Sequence, residues 1–194
     1  MPKINLEEAH RNDIASGIRE MGIKISEDEL KYIAKVARAV AECEHGAVII
    51  LAREPDIVEE TQRLTAKKRG MQLTTPIDMN KIIDEPDTKI LSRLSSVDGA
   101  IMADFQGRCH AYGMILDGAV VKDGNADRGS RFNSTKTYIE NRVYDERGQF
   151  DSGKPPFFGV IFSDDGMVNI RWGQDDSVDS EATVMKDERL LIGL

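Results

Sequence analysis

The stretch VDGAIMADFQGRCHAYGMIL, from Val97 to Leu116, has the pattern of two β-strands joined by a tight turn. Its first part, DGAIMADF from Asp98 to Phe105, is a short apolar run headed by a carboxylate and two small residues. Gln106-Gly107 is a two-residue turn signal, weaker than Asn-Gly, and RCHAYGMIL follows it as the second strand. The stretch therefore predicts an antiparallel hairpin.

Segments on either side of this hairpin predict further strands. HGAVIIL, from His45 to Leu51, is a continuous apolar run rich in β-branched residues, which is typical of a buried strand. PPFFGVIFS and MVNIRW flank an Asp165-Gly166 turn and predict a second hairpin.

Helical patterns separate these strands. Asn5 can cap a first helix, and Ser26 with Glu29 forms a capping box ahead of a second one. Charges occupy most positions of residues 57–69, which predicts an exposed helix. Another helix begins near Ser130. Its larger side chains keep helical spacing: Phe132, Thr135, Tyr138, Ile139 and Val143.

Hairpins interrupted by helices predict an α/β fold with a mixed, mainly antiparallel sheet flanked by helices. The predicted division is an N-terminal helical segment at 1–45, a nucleotide-binding domain at 46–173 and an acidic C-terminal tail, either extended or partly mobile, at 174–194. We expect the N-terminal segment to be either a pair of helices for oligomerisation or regulation, or a helical cover over the sheet. Pro76 and Pro86 mark loops within the central part. The glycine-rich patterns of Rossmann and P-loop folds do not occur.

Composition excludes several classes of function. The 194 residues carry a formal net charge of −8, which argues against binding to duplex DNA or an anionic membrane. No apolar run approaches the roughly 20 residues of a membrane span, and the N-terminus lacks the pattern of a signal peptide. We therefore expect a cytoplasmic protein without membrane association. Its two cysteines do not form a disulfide framework or a metal motif.

Two short motifs could carry chemistry. Asp98-Gly99-Ala100 places a carboxylate at a strand start beside small residues, where an oxygen ligand for Mg²⁺ or Mn²⁺ and close backbone approach are both available. Gly129-Ser130-Arg131 opens a helix, where free N–H groups, the helix dipole and a guanidinium favour a phosphate. Taken singly, a turn and a capped helix with a surface Arg are the simpler interpretations.

Together the two motifs resemble the diadenylate cyclase family, the DisA N-terminal domain. Members have a strand beginning Asp-Gly-Ala and, about thirty residues later, a Gly-Thr/Ala-Arg-His-Arg segment that opens a helix. Here the corresponding segments are SSVDGAIMADFQGRCHAYGMIL and DRGSRFNSTKTYIE, and the resemblance runs from about Ala47 to Ile170. It implies an α/β domain that binds ATP at a sheet edge. It further implies two such domains facing each other, as a homo-oligomer, to condense two ATP molecules into cyclic di-AMP.

The resemblance also assigns roles to residues of this chain. Asp98 matches the metal-binding Asp that promotes attack by the ribose 3′-hydroxyl, and is the expected catalytic residue. The expected nucleotide-binding residues are Gly99, Ala100, Gly129, Ser130, Arg131, Asn133 and Glu140.

One departure bears on catalysis. Where the family has Arg-His-Arg, this chain has Arg131-Phe132-Asn133, so one His and one Arg are replaced by a ring and a neutral amide. A single lost electrostatic donor costs about 10²–10³ in rate, whereas binding survives more easily. Asn133 can still hydrogen-bond a nucleotide, and Phe132 is expected in the helix core.

Three functions therefore remain open. The first is a sensor that binds ATP or a cyclic dinucleotide with weakened or altered catalysis. The second is an active diadenylate cyclase, and the third is an assembly module with an empty site. Retention of Asp98, Arg131 and Glu140 favours the first two, and the missing cations favour the first over the second.

Overall fold

The structure is a computed structural model. It describes residues 23–41, 43, 45–84, 91, 93–94, 96–117, 129–149, 151–163, 166–173 and 177–181, with residues 83–84 and 177–181 as backbone only. The predicted helix that follows Asn5 lies outside the described residues.

The described elements are four helices and seven strands, and the strands β3–β4 and β5–β6–β7 follow one another without a described helix between them. The helices are α1 (Glu27–Ala41), α2 (Glu54–Ala66), α3 (Met79–Asp84) and α4 (Gly129–Val143). The strands are β1 (Ala47–Ala52), β2 (Met71–Asp78), β3 (Ala100–Asp104), β4 (Arg108–Met114), β5 (Phe158–Phe162), β6 (Met167–Arg171) and β7 (Ser177–Glu181).

Within the described ranges, the strands form one sheet of seven in the order β2-β4-β3-β1-β5-β6-β7. The pair β1 and β3 is parallel, with Ile49 opposite Ile101, and each of the other adjacent pairs is antiparallel. The mixed, mainly antiparallel sheet flanked by helices is therefore confirmed.

Helix α1 covers one face of the sheet. Its inner side chains, which include Ile33, Val36 and Val40, join a core with Ile49 of β1 and Val160 of β5. The predicted capping box begins this helix. The Ser26 amide donates to Glu29 Oε2 at 2.7 Å, and the Glu29 amide donates to Ser26 Oγ at 3.2 Å.

Helices α2 and α4 cover the other face. Ile57 and Leu64 of α2 pack with Tyr138 and Ile139 of α4 in a second core. The prediction of an exposed helix over 57–69 is therefore wrong, because one side of α2 is buried. Its inner side also carries Glu60, which is 4% exposed, and a charge on the buried side hides the amphipathic pattern.

The predicted loop around Pro76 is wrong as well, because residues 71–78 form edge strand β2. It pairs with β4 at both ends, Met71 opposite Tyr112 and Ile77 opposite Cys109, with an irregularity between. An edge strand tolerates proline, since the missing N–H is not needed on the open side.

The β3–β4 hairpin is confirmed, with a turn one residue longer than predicted. The Gly107 amide donates to the Asp104 carbonyl at 3.0 Å, and Gly107 has a φ of 84°. This is the geometry of a three-residue hairpin loop with glycine in the left-handed position. The buried Asp104 carboxylate accepts from the Gln106 amide at 2.9 Å and lies 2.8 Å from His110 Nε2.

Elements on both sides of residues 46–173 contact the sheet. Helix α1, from the segment 1–45, shares a core with it. Strand β7, from the segment 174–194, pairs with β6, with Ile170 opposite Val178. The boundaries at residues 45 and 173 stay a prediction.

Candidate functional site

The two predicted motifs line one cleft, of about 150 Å³. Asp98, Gly99 and Ala100 come from the start of β3, and Ser130 and Arg131 come from the first turn of α4. The remaining lining residues are Val48, Met114, Ile115, Leu116 and Ser134. Residues distant in sequence therefore line the same cleft. We call Asp98, Gly99 and Ala100 the β3 wall, Ser130, Arg131 and Ser134 the α4 wall, Ile115 and Leu116 the β4 wall, and Val48 with Met114 the floor.

The β3 wall is fixed by two glycines. Gly99 has a φ of 114°, and a Cβ there would lie 2.5 Å from the carbonyl carbon of Gly113 in β4. Glycine is required at position 99 by its own backbone and by this approach. The small side chain of Ala100 is buried in the core beneath the cleft, and Asp98 is exposed.

The α4 wall begins with Gly129, whose φ is 72°. Ser130 and Arg131 follow in the first helical turn, where backbone N–H groups lack partners within the helix and favour an anion. The Arg131 carbonyl accepts the hydroxyls of Ser134 at 3.1 Å and Thr135 at 2.8 Å.

The side chains at the two positions that differ from the family motif, Phe132 and Asn133, make contacts outside the cleft. Phe132 is 6% exposed and belongs to the α2–α4 core, so its predicted core role is confirmed. The Arg171 guanidinium lies 5.1 Å from the centre of its ring. Asn133 Nδ2 donates to the Gly129 carbonyl at 2.9 Å. Neither side chain is among those that line the cleft.

Glu140 and Gly129 are also absent from the cleft lining. Glu140 lies in α4, with its Oε1 3.7 Å from Lys136 Nζ and 14% of its side chain exposed. Gly129 has open space around its Cβ position. The binding roles expected of Asn133, Glu140 and Gly129 stay predictions.

Sequence reasoning missed five of the lining residues. The sequence predicts Val48, Met114, Ile115 and Leu116 only as strand residues, and Ser134 only as part of a helix. The periodicity of α4 could have indicated Ser134, because it lies one turn after Ser130 on the same helix face.

A network of ion pairs adjoins the cleft. Asp117, which follows Leu116, accepts hydrogen bonds from Arg63 at 2.5 and 2.8 Å and from Lys67 at 2.9 Å. Arg63 also binds both oxygens of Glu60, each at 2.7 Å. The hydrogen bonds from Arg63, opposed by partial burial and aided by Lys67, hold the pKa of Asp117 well below its usual range.

Helix α4 joins the network on its far side. Tyr138 Oη donates to Glu60 Oε1 at 2.7 Å, and Arg142 Nη1 lies 3.2 Å from Glu60 Oε2. Burial, together with the charge of Glu60, raises the pKa of the Tyr138 phenol far above its usual range. The phenol is therefore a permanent donor to that carboxylate.

The charges of the cleft suit a phosphate only in part. Arg131 is the one cation and Asp98 the one carboxylate among its described lining residues. In the part of the chain that the structure describes, no group of three or more His, Cys, Asp or Glu side chains is placed to hold a metal ion.

The fold resembles that of a solved structure, DacA from Staphylococcus aureus, crystallised as a double cysteine variant. The TM-score is 0.51 at 18% identity, over 84% of this chain and 95% of that one. At this identity the likeness concerns the fold alone, the mixed, mainly antiparallel sheet flanked by helices that the sequence predicts. No family model and no curated protein matches the chain. None of the described helices is both long and apolar enough to traverse a bilayer.

Proposed function

We propose that this protein binds a nucleotide, either ATP or a cyclic dinucleotide, in the cleft between β3 and α4, and acts as a sensor with weakened or altered catalysis. One observation carries the proposal. Asp98-Gly99-Ala100 and Ser130-Arg131 share a cleft although neither motif is specific alone. Their meeting is what the resemblance to diadenylate cyclases requires, and the likeness to DacA supports the fold that it requires.

The α4 wall is the proposed phosphate side. The first-turn amides and the helix dipole attract an anion, and the Arg131 guanidinium adds a charge-assisted donor. The apolar side chains of the floor, Val48 and Met114, and of Leu116 suit a ribose or base. Polar groups on one wall and an apolar floor are the usual pattern of a small-molecule site.

A divalent cation fits this cleft only together with the nucleotide. Asp98 supplies one carboxylate, and Mg²⁺ is commonly held by one or two carboxylates plus the phosphates of the substrate. Asp98 would hold Mg²⁺ or Mn²⁺, which when bound would neutralise phosphate charge. A dedicated metal cage has no support among the described residues.

The placement of Phe132 and Asn133 supports weakened catalysis. Condensation of ATP builds charge on the departing pyrophosphate, and Arg131 is the one cation that the described cleft lining offers. The two positions that carry His and Arg in the family face the core and the Gly129 carbonyl. Losing one preorganised donor reduces rates by about 10²–10³, so turnover should be affected more than binding.

The test measures binding and products together. Purified protein is incubated with ATP and Mg²⁺ or Mn²⁺, products are resolved by chromatography, and the affinities for ATP and cyclic di-AMP are determined by calorimetry. We expect saturable binding with little or no turnover, and at least a roughly tenfold weaker Kd in Arg131→Ala, because a charge-assisted bond is lost.

Matched variants separate the cleft from general charge effects. Arg147→Ala removes an exposed guanidinium beyond the far end of α4, and Asp28→Ala removes an exposed carboxylate on the opposite face of the sheet. Neither should change the Kd. Cyclic di-AMP production that is lost in Asp98→Ala would establish the cyclase instead. Absence of binding to either nucleotide would leave the assembly module.

Self-association is part of the proposal, because the resemblance implies that two domains face each other across bound nucleotide. Light scattering with and without ATP tests it, and a monomer under both conditions would contradict it.

A further inference from the structure

The ion network beside the cleft connects three elements. Glu60 and Arg63 belong to α2 and Lys67 directly follows it, Asp117 follows β4, and Arg142 belongs to α4 together with Tyr138. Glu60 is 4% exposed and Asp117 19% exposed at the side chain. Charge-assisted hydrogen bonds that are shielded from water in this way are among the stronger ones in proteins.

Two of these three elements contribute to the lining of the cleft. Ile115 and Leu116, which immediately precede Asp117, are the β4 wall, and Ser130, Arg131 and Ser134 of α4 are the α4 wall. Tyr138 lies one turn beyond Ser134 on the same helix, and Arg142 lies one turn further. A group that holds Asp117 to α4 therefore acts on the spacing of the walls.

Arg63 is the central connection. Its guanidinium binds both carboxylates in a two-pronged manner, Glu60 within its own helix and Asp117 after β4. Arg142 touches both carboxylates as well, at 3.2 Å from Glu60 and 3.9 Å from Asp117. Planar two-pronged pairing fixes orientation as well as distance.

We propose that Asp117 is a positioning residue for the cleft, which locks the end of β4 to α2 and α4 and so sets the separation of the two walls. It acts through Arg63 and Arg142 rather than by contact with a ligand, since Asp117 is not among the lining residues. Its effect on affinity rests on the proposed nucleotide binding, whereas its effect on the walls does not.

The first experiment needs no ligand. Hydrogen exchange is followed in Asp117→Asn, which removes the charge and keeps the shape, in peptides covering 110–116 and 129–136. We expect exchange in both walls to rise by roughly tenfold or more. The Ile115 amide, which donates to the Arg69 carbonyl, is included in the first peptide.

The second experiment uses ATP and cyclic di-AMP as probes, at a temperature where all variants are folded. The Kd of Asp117→Asn should be weaker by between roughly 2-fold and 30-fold, and Asp117→Glu, which keeps the charge, should recover part of the loss. A residue that only supports the fold would lower the melting temperature and leave the Kd unchanged.

Controls keep each outcome decisive. Glu54→Gln breaks a 2.6 Å ion pair with Arg108, neither of which lines the cleft, and should change neither exchange in the walls nor the Kd. If Asp117→Asn does not fold, Lys67→Gln removes one bond to Asp117 and should shift both readouts less, in the same direction.

The proposal is overturned if exchange changes in one wall alone, if Glu54→Gln gives the same change, or if a nucleotide that binds keeps its Kd. If the wild-type protein binds neither nucleotide, the proposed function fails, and the exchange data still decide the role of Asp117.

Discussion

Gly99 lies between Asp98, the expected catalytic residue, and the buried Ala100, in a backbone conformation that other residues rarely adopt. Its φ of 114° is accompanied by the nearby backbone of Gly113 and Met114, at 2.5 and 2.8 Å from the position of a Cβ. The resemblance assigns Gly99 to the nucleotide, but its missing side chain faces β4. The backbone of the hairpin therefore requires this glycine, whether or not a ligand binds.

We predict that Gly99→Ala destabilises the protein by about 2–5 kcal/mol, since backbone strain adds to a clash with backbone atoms that cannot rotate away. Urea unfolding measures the difference. Gly148→Ala is the matched control, because Gly148 has a φ of 71° with nothing near its Cβ position. It should lose only about 1 kcal/mol. Equal losses of unfolding free energy in the two variants would show that the close approach to Gly113 adds nothing to the cost of the substitution.

At the scale of elements, local signals predicted some parts of the fold and not others. The capping box of α1 and the buried side of α4 follow from spacing within one helix, and both are confirmed. Strand β2 was missed because most of its side chains are exposed and one is Pro76, so it has no buried face to give alternation. The exposed helix predicted over 57–69 is wrong at Glu60, because the hydrogen-bond partner that accompanies its burial, Tyr138, lies 78 residues away in sequence.

The ion network between elements should make stability depend on acidity. The folded pKa of Asp117 lies below its ordinary value of 3.8, chiefly because Arg63 hydrogen-bonds the carboxylate. A lowered folded pKa stabilises the fold above the unfolded pKa, and that stability is lost as the pH falls toward the folded pKa. Protonation of Asp117 would leave Arg63, Lys67 and Arg142 with fewer acceptors.

We therefore predict that the free energy of unfolding falls more steeply between about pH 4 and pH 2 in the wild type than in Asp117→Asn. Urea titrations across this range measure both slopes. Asp28→Asn, which alters a carboxylate that is 97% exposed, should keep the wild-type slope. The same slope in wild type and Asp117→Asn would mean that the network does not control acid stability.

At the scale of the whole molecule, the site depends on chain topology rather than on local sequence. Asp98 and Arg131 line the same cleft because β3 lies beside β1 in the sheet while α4 packs over β1 and β5. Nothing within either motif indicates this meeting, which was expected only through the resemblance to a family. The apolar floor followed from no motif at all, since strand residues such as Val48 and Met114 look like ordinary core.

The central strands are buried on both faces, which assigns a structural task to α1. All six residues of β1 are buried, and α1 covers one of the two faces that they present. When one helical layer is removed from a sheet that helices cover on both sides, a large apolar area of the sheet becomes exposed to water. This favours the interpretation of the N-terminal segment as a cover over the sheet.

We predict that a chain beginning at residue 46 does not unfold cooperatively, because the face formed by Ile49, Val160 and their neighbours would be exposed. Circular dichroism during urea titration, together with binding of a hydrophobic dye, measures this. In the full chain, Ile33→Ala should cost about 2–5 kcal/mol as a buried truncation. Lys31→Ala, on the exposed side of α1, should change stability by less than about 0.5 kcal/mol. A sharp transition with an unchanged midpoint in the shortened chain would contradict the prediction and support an independent domain at 46–173.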